Sequence, residues 1–245
     1  MTYKLHIANK RYSSWSMRPW LVFKALNIPF EEALFMFKPG YRQPDFLAFS
    51  PSGKVPCLHD SDHDKLYIWD SLAIVEYIAE KHAGVWPSDP AARAFARCAA
   101  AEMHSGFEAI REECGMNVGL RIELTEHSDG LKRDLARLET VFTEGLTRFG
   151  GPWLAGPEFT AVDAFYGPVA CRFKTYGITF TGPAGEYAER LYEHPSVQEW
   201  VQAGIYEKER EPSHEQDAAR PGRRILADLS VEDYRATGPD SASNR

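Results

Sequence analysis

Arg11-Tyr12-Ser13-Ser14-Trp15-Ser16-Met17-Arg18-Pro19-Trp20 is the stretch on which the fold turns. Before it, Tyr3 to Ala8 alternates, with Leu5 and Ile7 on one face, and predicts a strand. After it, Trp20 to Leu26 is apolar-rich and closed by Asn27 and Pro29, which predicts a helix. Pro19 has no N–H, so it is expected in the first helical turn, and the helix then starts between Ser14 and Arg18. Serine hydroxyls at that place lie beside free backbone N–H groups and the positive end of the helix dipole, where an anion is stabilised. The same hydroxyls can simply cap the helix, and the segment by itself does not choose.

Working outward, Phe30 to Phe37 is strand-like and is broken by Lys38-Pro39-Gly40. Ser50 to Gly53 is a turn that leads into a short strand at Val55 to Leu58. A proline opening that strand invites a cis Val55–Pro56 bond. Such a bond exposes the Val55 N–H and C=O to an extended peptide ligand. Asp60 to Asp64 reads as a polar hairpin turn, and Lys65 to Trp69 alternates with Leu66 and Ile68 on one face. Leu72, Val75 and Ile78/Ala79 recur at helical spacing, and Asp70 or Ser71 caps that helix. The free N–H groups there also suit a ligand carboxylate.

Composition then shifts. Trp86-Pro87-Ser88-Asp89-Pro90 reads as a linker ending in helix-start chemistry, with Ser88 or Asp89 as cap and Pro90 in the first helical position. Helices are predicted from Ala91 to about Glu113, Leu131 to Phe149, Thr160 to about Tyr176, Gly185 to Tyr192 and Ser196 to Glu209. Thr160 and Asp163 have capping-box spacing, with Asp in place of the usual Glu or Gln. No comparable strand pattern appears after residue 80. The fold class is therefore α+β, with a mixed N-terminal domain over 1–83, an all-α bundle over 84–209 and an extended or mobile tail over 210–245. In that tail Ile225, Leu226, Leu229 and Val231 form a small apolar cluster able to dock.

Bulk properties exclude several classes. Apolar residues make up 44% and charged residues 26%, so a packed core is expected rather than disorder. A net charge of −7 opposes a phosphate backbone, and nucleic acid is not expected as a partner. No stretch approaches the ~18 apolar residues of a membrane helix, so neither a membrane partner nor an export signal is expected, and a cytoplasmic location is. Cys57, Cys98, Cys114 and Cys171 form no CxxC pair and no zinc pattern, so no metal is expected.

Together the serine loop, the Val55-Pro56 turn, the Asp70-Ser71 helix start, the Asp89-Pro90 opening with Arg93, and the Thr160/Asp163 box resemble glutathione transferases in order and spacing, over residues 3 to about 205. Ser13-Ser14-Trp15-Ser16 followed by Arg18 is most similar to the serine-type zeta class, which has a cysteine where Trp15 stands. The resemblance implies a thioredoxin-like N-terminal domain before the helical one. It implies glutathione as co-substrate, a small electrophile as second substrate, and a homodimer. Ser13, then Ser14, is implied as the hydroxyl that stabilises the thiolate. Val55 and Pro56 would hold the cysteinyl part, Asp70 and Ser71 the γ-glutamyl end, and Arg42 and Lys54 the glycyl carboxylate. Trp15, Met103, Phe107, Arg111, Tyr166 and Arg172 are the candidates for the electrophile site. Without a cysteine at position 13, glutaredoxin-like thiol exchange lacks its nucleophile. Zeta-like cis–trans isomerisation of a dicarboxylic substrate and a non-catalytic binding module are the competing implications.

Overall fold

The computed structural model describes residues 3–40, 42–63 and 66–230. Residues 64 and 65 of the expected hairpin and the tail from 231, with Val231, lie outside them. Strands β1 (Tyr3–Ala8), β2 (Phe30–Phe35), β3 (Cys57–Asp60) and β4 (Tyr67–Trp69) form one sheet in the order β2-β1-β3-β4. β1 is parallel to β2 and antiparallel to β3, which is antiparallel to β4. The parallel pair is joined through helix α1 (Ser14–Ala25), the crossover such a pair requires. Leu5 and Ile7 are fully buried, as their alternation predicts, and α2 (Ser71–Ala79) follows β4. This is a thioredoxin-like unit.

The helical part contains α3 (Pro90–Ser105), α4 (Glu108–Glu113), α5 (Asp129–Phe149), α6 (Ala161–Tyr176), α7 (Gly182–Glu193) and α8 (Pro195–Tyr206). The Asp89 side chain caps α3 by accepting the Ala92 N–H at 2.8 Å, with Pro90 in the first position. α6 is buried almost all round and is the central helix. Its Gly167 sits against α1, where a Cβ would lie 2.5 Å from Leu21 Cδ1. Glycine there lets the two halves of the molecule pack directly on each other.

Four expectations need correction. Pro19 lies well inside α1 rather than in its first turn, because Ser13 caps the helix and Ser14 is already helical. The single helix expected over 91–113 is broken at Gly106 and at Phe107, which takes a left-handed conformation (φ 59°). The Arg111 guanidinium then caps the end of α3, with Nε donating to Gly106 O at 2.9 Å and Nη2 to Met103 O. Two strands do follow residue 80: β5 (Leu120–Leu124) and β6 (Arg223–Asp228) pair as an antiparallel ribbon. The chain after 209 is therefore not an extended tail over these residues. Helix α9 (Pro212–Ala218) and β6 dock it, with Leu229 buried and Ile225 and Leu226 exposed.

Asp60 ties α2 to the sheet. Burial pushes its carboxyl up, but donors from Lys81 Nζ (2.8 Å), Tyr77 OH (2.7 Å) and the Asp62 N–H (3.0 Å) bring it down to about 2. Its folded pKa is below the ordinary ~3.9, so its contribution is present above about pH 4 and lost as pH falls toward 2. Lys81→Met is expected to move the acid-unfolding midpoint upward, followed by circular dichroism against pH. An unchanged midpoint would remove Lys81 from this account.

Candidate functional site

Strand register builds the site. His6 pairs with Cys57, and Cys57 with Trp69. The end of β1, the start of β3 and the end of β4 therefore share one edge of the sheet. The 9–13 loop, the 55–56 turn and Asp70-Ser71 all leave from that edge. Val55–Pro56 is cis, as the sequence predicts. Pairing of β3 with β1 begins only beyond it, and among the described residues no hydrogen bond occupies the Val55 N–H or C=O.

Asp70 caps α2, its Oδ1 accepting the Leu72 N–H at 2.8 Å and the Ala73 N–H at 3.4 Å. It does so at φ 82°, a conformation costing a non-glycine residue on the order of 1–3 kcal/mol and found disproportionately at ligand sites. Its Oδ2 lies 3.4 Å from His104 Nε2 on α3. The Ser71 hydroxyl is buried without a partner among the described residues.

At the start of α1, Ser13 Oγ accepts the Ser16 N–H at 3.4 Å and donates to Ser16 Oγ at 2.7 Å. Ser16 Oγ also accepts the Ala8 N–H at 3.3 Å, which ties the helix start to the end of β1. Ser14 is nearly buried, and its hydroxyl makes no hydrogen bond among the described residues. The two hydroxyls thus differ, with Ser13 engaged in the cap and Ser14 making no hydrogen bond among the described residues.

Next to the serines, Trp15 is 37% exposed and lies among cationic groups. The Arg18 guanidinium carbon is 4.0 Å from its ring centroid and that of Arg111 is 5.0 Å. The His104 ring meets it edge-on at 5.2 Å. Arg18 is fully buried, and burial together with the charges of Arg111 and Arg172 pulls its pKa well down. Burial and Arg172 bring Arg111 down to about 10. Burial also lowers His104, against the pull of Asp70.

The other sequence candidates divide. Arg42 and Lys54 are exposed and touch none of these groups. Met103 and Tyr166 are fully buried core residues, the tyrosine donating to Ala99 O at 3.0 Å. Arg172 is buried and donates to Cys114 O (2.8 Å) and Pro168 O (3.3 Å), so it braces α6 instead of facing a ligand. Phe107 is core-packed at the α3–α4 break. Trp15 and Arg111 remain together at the site. The thiol of Cys57 is buried, donates to Phe49 O at 3.3 Å and is pushed up to about 11 by burial, which removes it as a nucleophile. Sequence reasoning passed over Arg18 and His104. Arg18 stands four residues after Ser14 and three after Trp15, a spacing that puts all three on one helical face.

The loop before Ser13 is gripped from the C-terminal side. Glu207 accepts the N–H groups of Lys10 (2.5 Å) and Arg11 (3.1 Å). Tyr12 OH donates to Glu215 at 2.6 Å, and its ring stacks on His214 at 4.7 Å. A cavity of about 570 Å³ lies beyond this contact, with Asn9, Phe37, Lys38, Phe46 and Glu211 among its walls and neither serine lining it.

Comparison with known proteins converges on one family. Residues 12–81 match the model of the glutathione S-transferase N-terminal domain. The chain is 28% identical to glutathione S-transferase GstB of Escherichia coli, over 74% of this chain and 89% of that protein. It is 23% identical to the glutathione S-transferase-like protein OpS6 of Beauveria bassiana, over 67% and 76% of the two chains. Among solved structures, a Burkholderia glutathione transferase homologue with bound glutathione superposes with a TM-score of 0.60 at 22% identity, over 83% and 97% of the chains. Ure2p in complex with glutathione superposes with a TM-score of 0.60 at 21% identity, over 80% and 96%. With the sheet order, the cis turn and the Asp-Ser helix start already in place, these matches lead to one conclusion: residues 12–81 match a glutathione S-transferase N-terminal domain, and the chain has the fold of the glutathione transferases it resembles.

Proposed function

We propose that the protein binds glutathione along the sheet edge and stabilises its thiolate at the start of α1 for attack on a small electrophile. The observation that carries this reading is the shared edge. A free backbone pair at Val55, a helix N-terminus with an unpartnered serine at Ser71, and two serine hydroxyls at the start of α1 leave the sheet side by side. Val55 and Pro56 take the cysteinyl backbone, Asp70 and Ser71 the γ-glutamyl end, and Arg42 and Lys54 reach for the glycyl carboxylate. A free thiol is only a few per cent ionised at neutral pH. Two pKa units of depression correspond to ~2.7 kcal/mol in favour of the anion. The serine donates to sulfur and forms no covalent bond, acting as an oxyanion-hole donor does.

The two serines separate by experiment. A hydroxyl has one proton and two acceptor pairs, so Ser13 can cap with its oxygen and still turn its proton to sulfur. Ser13→Ala is expected to cost about 1 kcal/mol of stability through the lost cap, whereas Ser14→Ala costs little. The ultraviolet thiolate absorbance of bound glutathione against pH, in both variants, assigns the donor by the variant in which the depressed pKa returns to the free value. Saturable binding with no depressed thiolate pKa in the wild type would leave a binding module and sink the catalytic reading. The cytoplasmic location, the homodimer and a detoxifying role belong to the same proposal.

A further inference from the structure

We propose that Arg18 and Arg111, both packed against the Trp15 indole, form a subsite for a carboxylate carried by the electrophile. This rests on the glutathione reading above and names the substrate class of the same site.

Three observations carry it. First, Nε, Nη1 and Nη2 of Arg18 are all buried and have no hydrogen-bond partner among the described residues. A buried guanidinium without a carboxylate or carbonyl is costly, and the fold makes no provision to satisfy it. Second, Arg111 is aimed. Its Nε and Nη2 are fixed by Gly106 O and Met103 O, while Nη1 takes no hydrogen bond among the described residues. Third, a partly exposed aromatic side chain lies directly against the Arg18 guanidinium. Trp15 is 37% exposed and meets Arg18, Arg111 and His104 through its ring, so the two guanidinium groups adjoin a side chain that reaches solvent.

The surrounding charges favour an anion. Arg172 stands behind the pair, and His104 Nδ1 is also buried and unpartnered. Asp70, the carboxylate whose charge acts on Arg18, is already engaged by two N–H groups of α2 and by His104. Asp134, which faces Arg111, accepts the Ile110 N–H. The forked donors of arginine suit a planar carboxylate better than a point anion. The subsite borders the helical side, with the Phe165 ring of α6 at 5.2 Å from the Arg18 guanidinium carbon.

Preformed conjugates test this without requiring turnover. S-(4-carboxy-2-nitrophenyl)glutathione is the product of 4-chloro-3-nitrobenzoate. In forming it, the thiolate makes a C–S bond, the C–Cl bond breaks, and chloride leaves with the bonding pair. Its 4-carbamoyl counterpart has nearly the same shape and no charge. Both are titrated by calorimetry into the full-length protein beside glutathione itself. The acid is expected to bind at least about tenfold more tightly than the amide, as paired charge in a desolvated site allows. In Arg18→Met, whose chain suits a buried position, and in Arg111→Gln, the ratio is expected to fall to about one, with melting curves confirming that each variant folds. Equal binding of acid and amide by a wild type that binds glutathione would overturn the subsite alone. Failure of glutathione and both conjugates to bind would overturn the glutathione reading, and the subsite with it. A loss of glutathione affinity in Arg18→Met with the acid-to-amide ratio intact would reassign Arg18 to glutathione and end the proposal.

Discussion

Replacing Asp163 with alanine is expected to cost about 3–5 kcal/mol of stability. The carboxylate is completely buried at the start of α6. It accepts the Leu154 N–H at 3.0 Å, the Thr160 N–H at 2.9 Å and the Tyr187 OH at 3.0 Å. Alanine leaves three buried donors unpaired, each worth about 1–3 kcal/mol. It also frees the helix that packs on α1 through Gly167. Burial pushes the Asp163 carboxyl up to about 6, against the pull of those donors. Because the folded pKa lies above the unfolded ~3.9, the folded state holds the proton more tightly. Stability from this group is complete below about pH 4 and is lost as pH rises through about 6. The Asp60 contribution runs the other way at lower pH, so the two windows are separate. Asp163→Asn is expected to abolish the slope between pH 4 and 6.5 while also costing stability, because an amide N–H₂ placed at either oxygen faces a donor. Urea unfolding at several pH values measures both effects. A wild-type stability that rises across this window would show that the group is ionised in the folded state.

Local chemistry was readable wherever a residue type serves one local purpose. Asp89 and Pro90 start a helix by their own geometry, and Thr160 with Asp163 does the same. The alternation of Leu5 and Ile7 marks a buried strand because one face of β1 meets the core. Val55-Pro56 was legible as a turn with a cis bond. The misses depend on partners far away in sequence. β5 and β6 stabilise each other across about a hundred residues; β5 does alternate, with Leu120 and Ile122 buried, but over only five residues, and β6 has no such alternation, since Ile225 and Leu226 both remain exposed. Pro19 was misplaced because tertiary packing of α1 against the sheet, α6 and α8 outweighs one missing helical hydrogen bond. The electrophile candidates Met103, Tyr166 and Arg172 fell into the core because periodicity finds a helix's buried stripe without saying which part of it borders a cleft. Arg18 was hidden for the opposite reason, since an arginine in a helix reads as a surface residue until the fold shows it buried and unpaired.

Glu207→Ala is expected to weaken glutathione binding by about tenfold and to cost roughly 2–3 kcal/mol of stability, although Glu207 lies far from the ligand in sequence. Its carboxylate receives the backbone N–H groups of Lys10 and Arg11, and the Arg11 guanidinium donates to its carbonyl at 3.2 Å and to Ile205 O at 2.9 Å. These residues directly precede the Ser13 cap. α8 can approach them because Gly204 has no side chain, where a Cβ would lie 2.9 Å from Arg11 N. The segment beyond completes the grip, with Tyr12 OH bonded to Glu215 and also accepting the Glu211 N–H at 3.3 Å. β6 anchors that segment on β5, and Leu229 N–H on Gly119 O at 2.8 Å. On the proposed function, a serine that must meet sulfur within hydrogen-bond distance loses catalytic value when its loop shifts by about an ångström. Removing Glu207 therefore frees two backbone donors and the position of Ser13 together. Glu207→Gln keeps one acceptor oxygen and is expected to fall between wild type and alanine. Calorimetric titration with glutathione, paired with urea unfolding of the same variants, separates the two effects. Lost stability with unchanged glutathione affinity would reduce the C-terminal segment to a fold clasp. Parallel loss of both makes it part of the glutathione site.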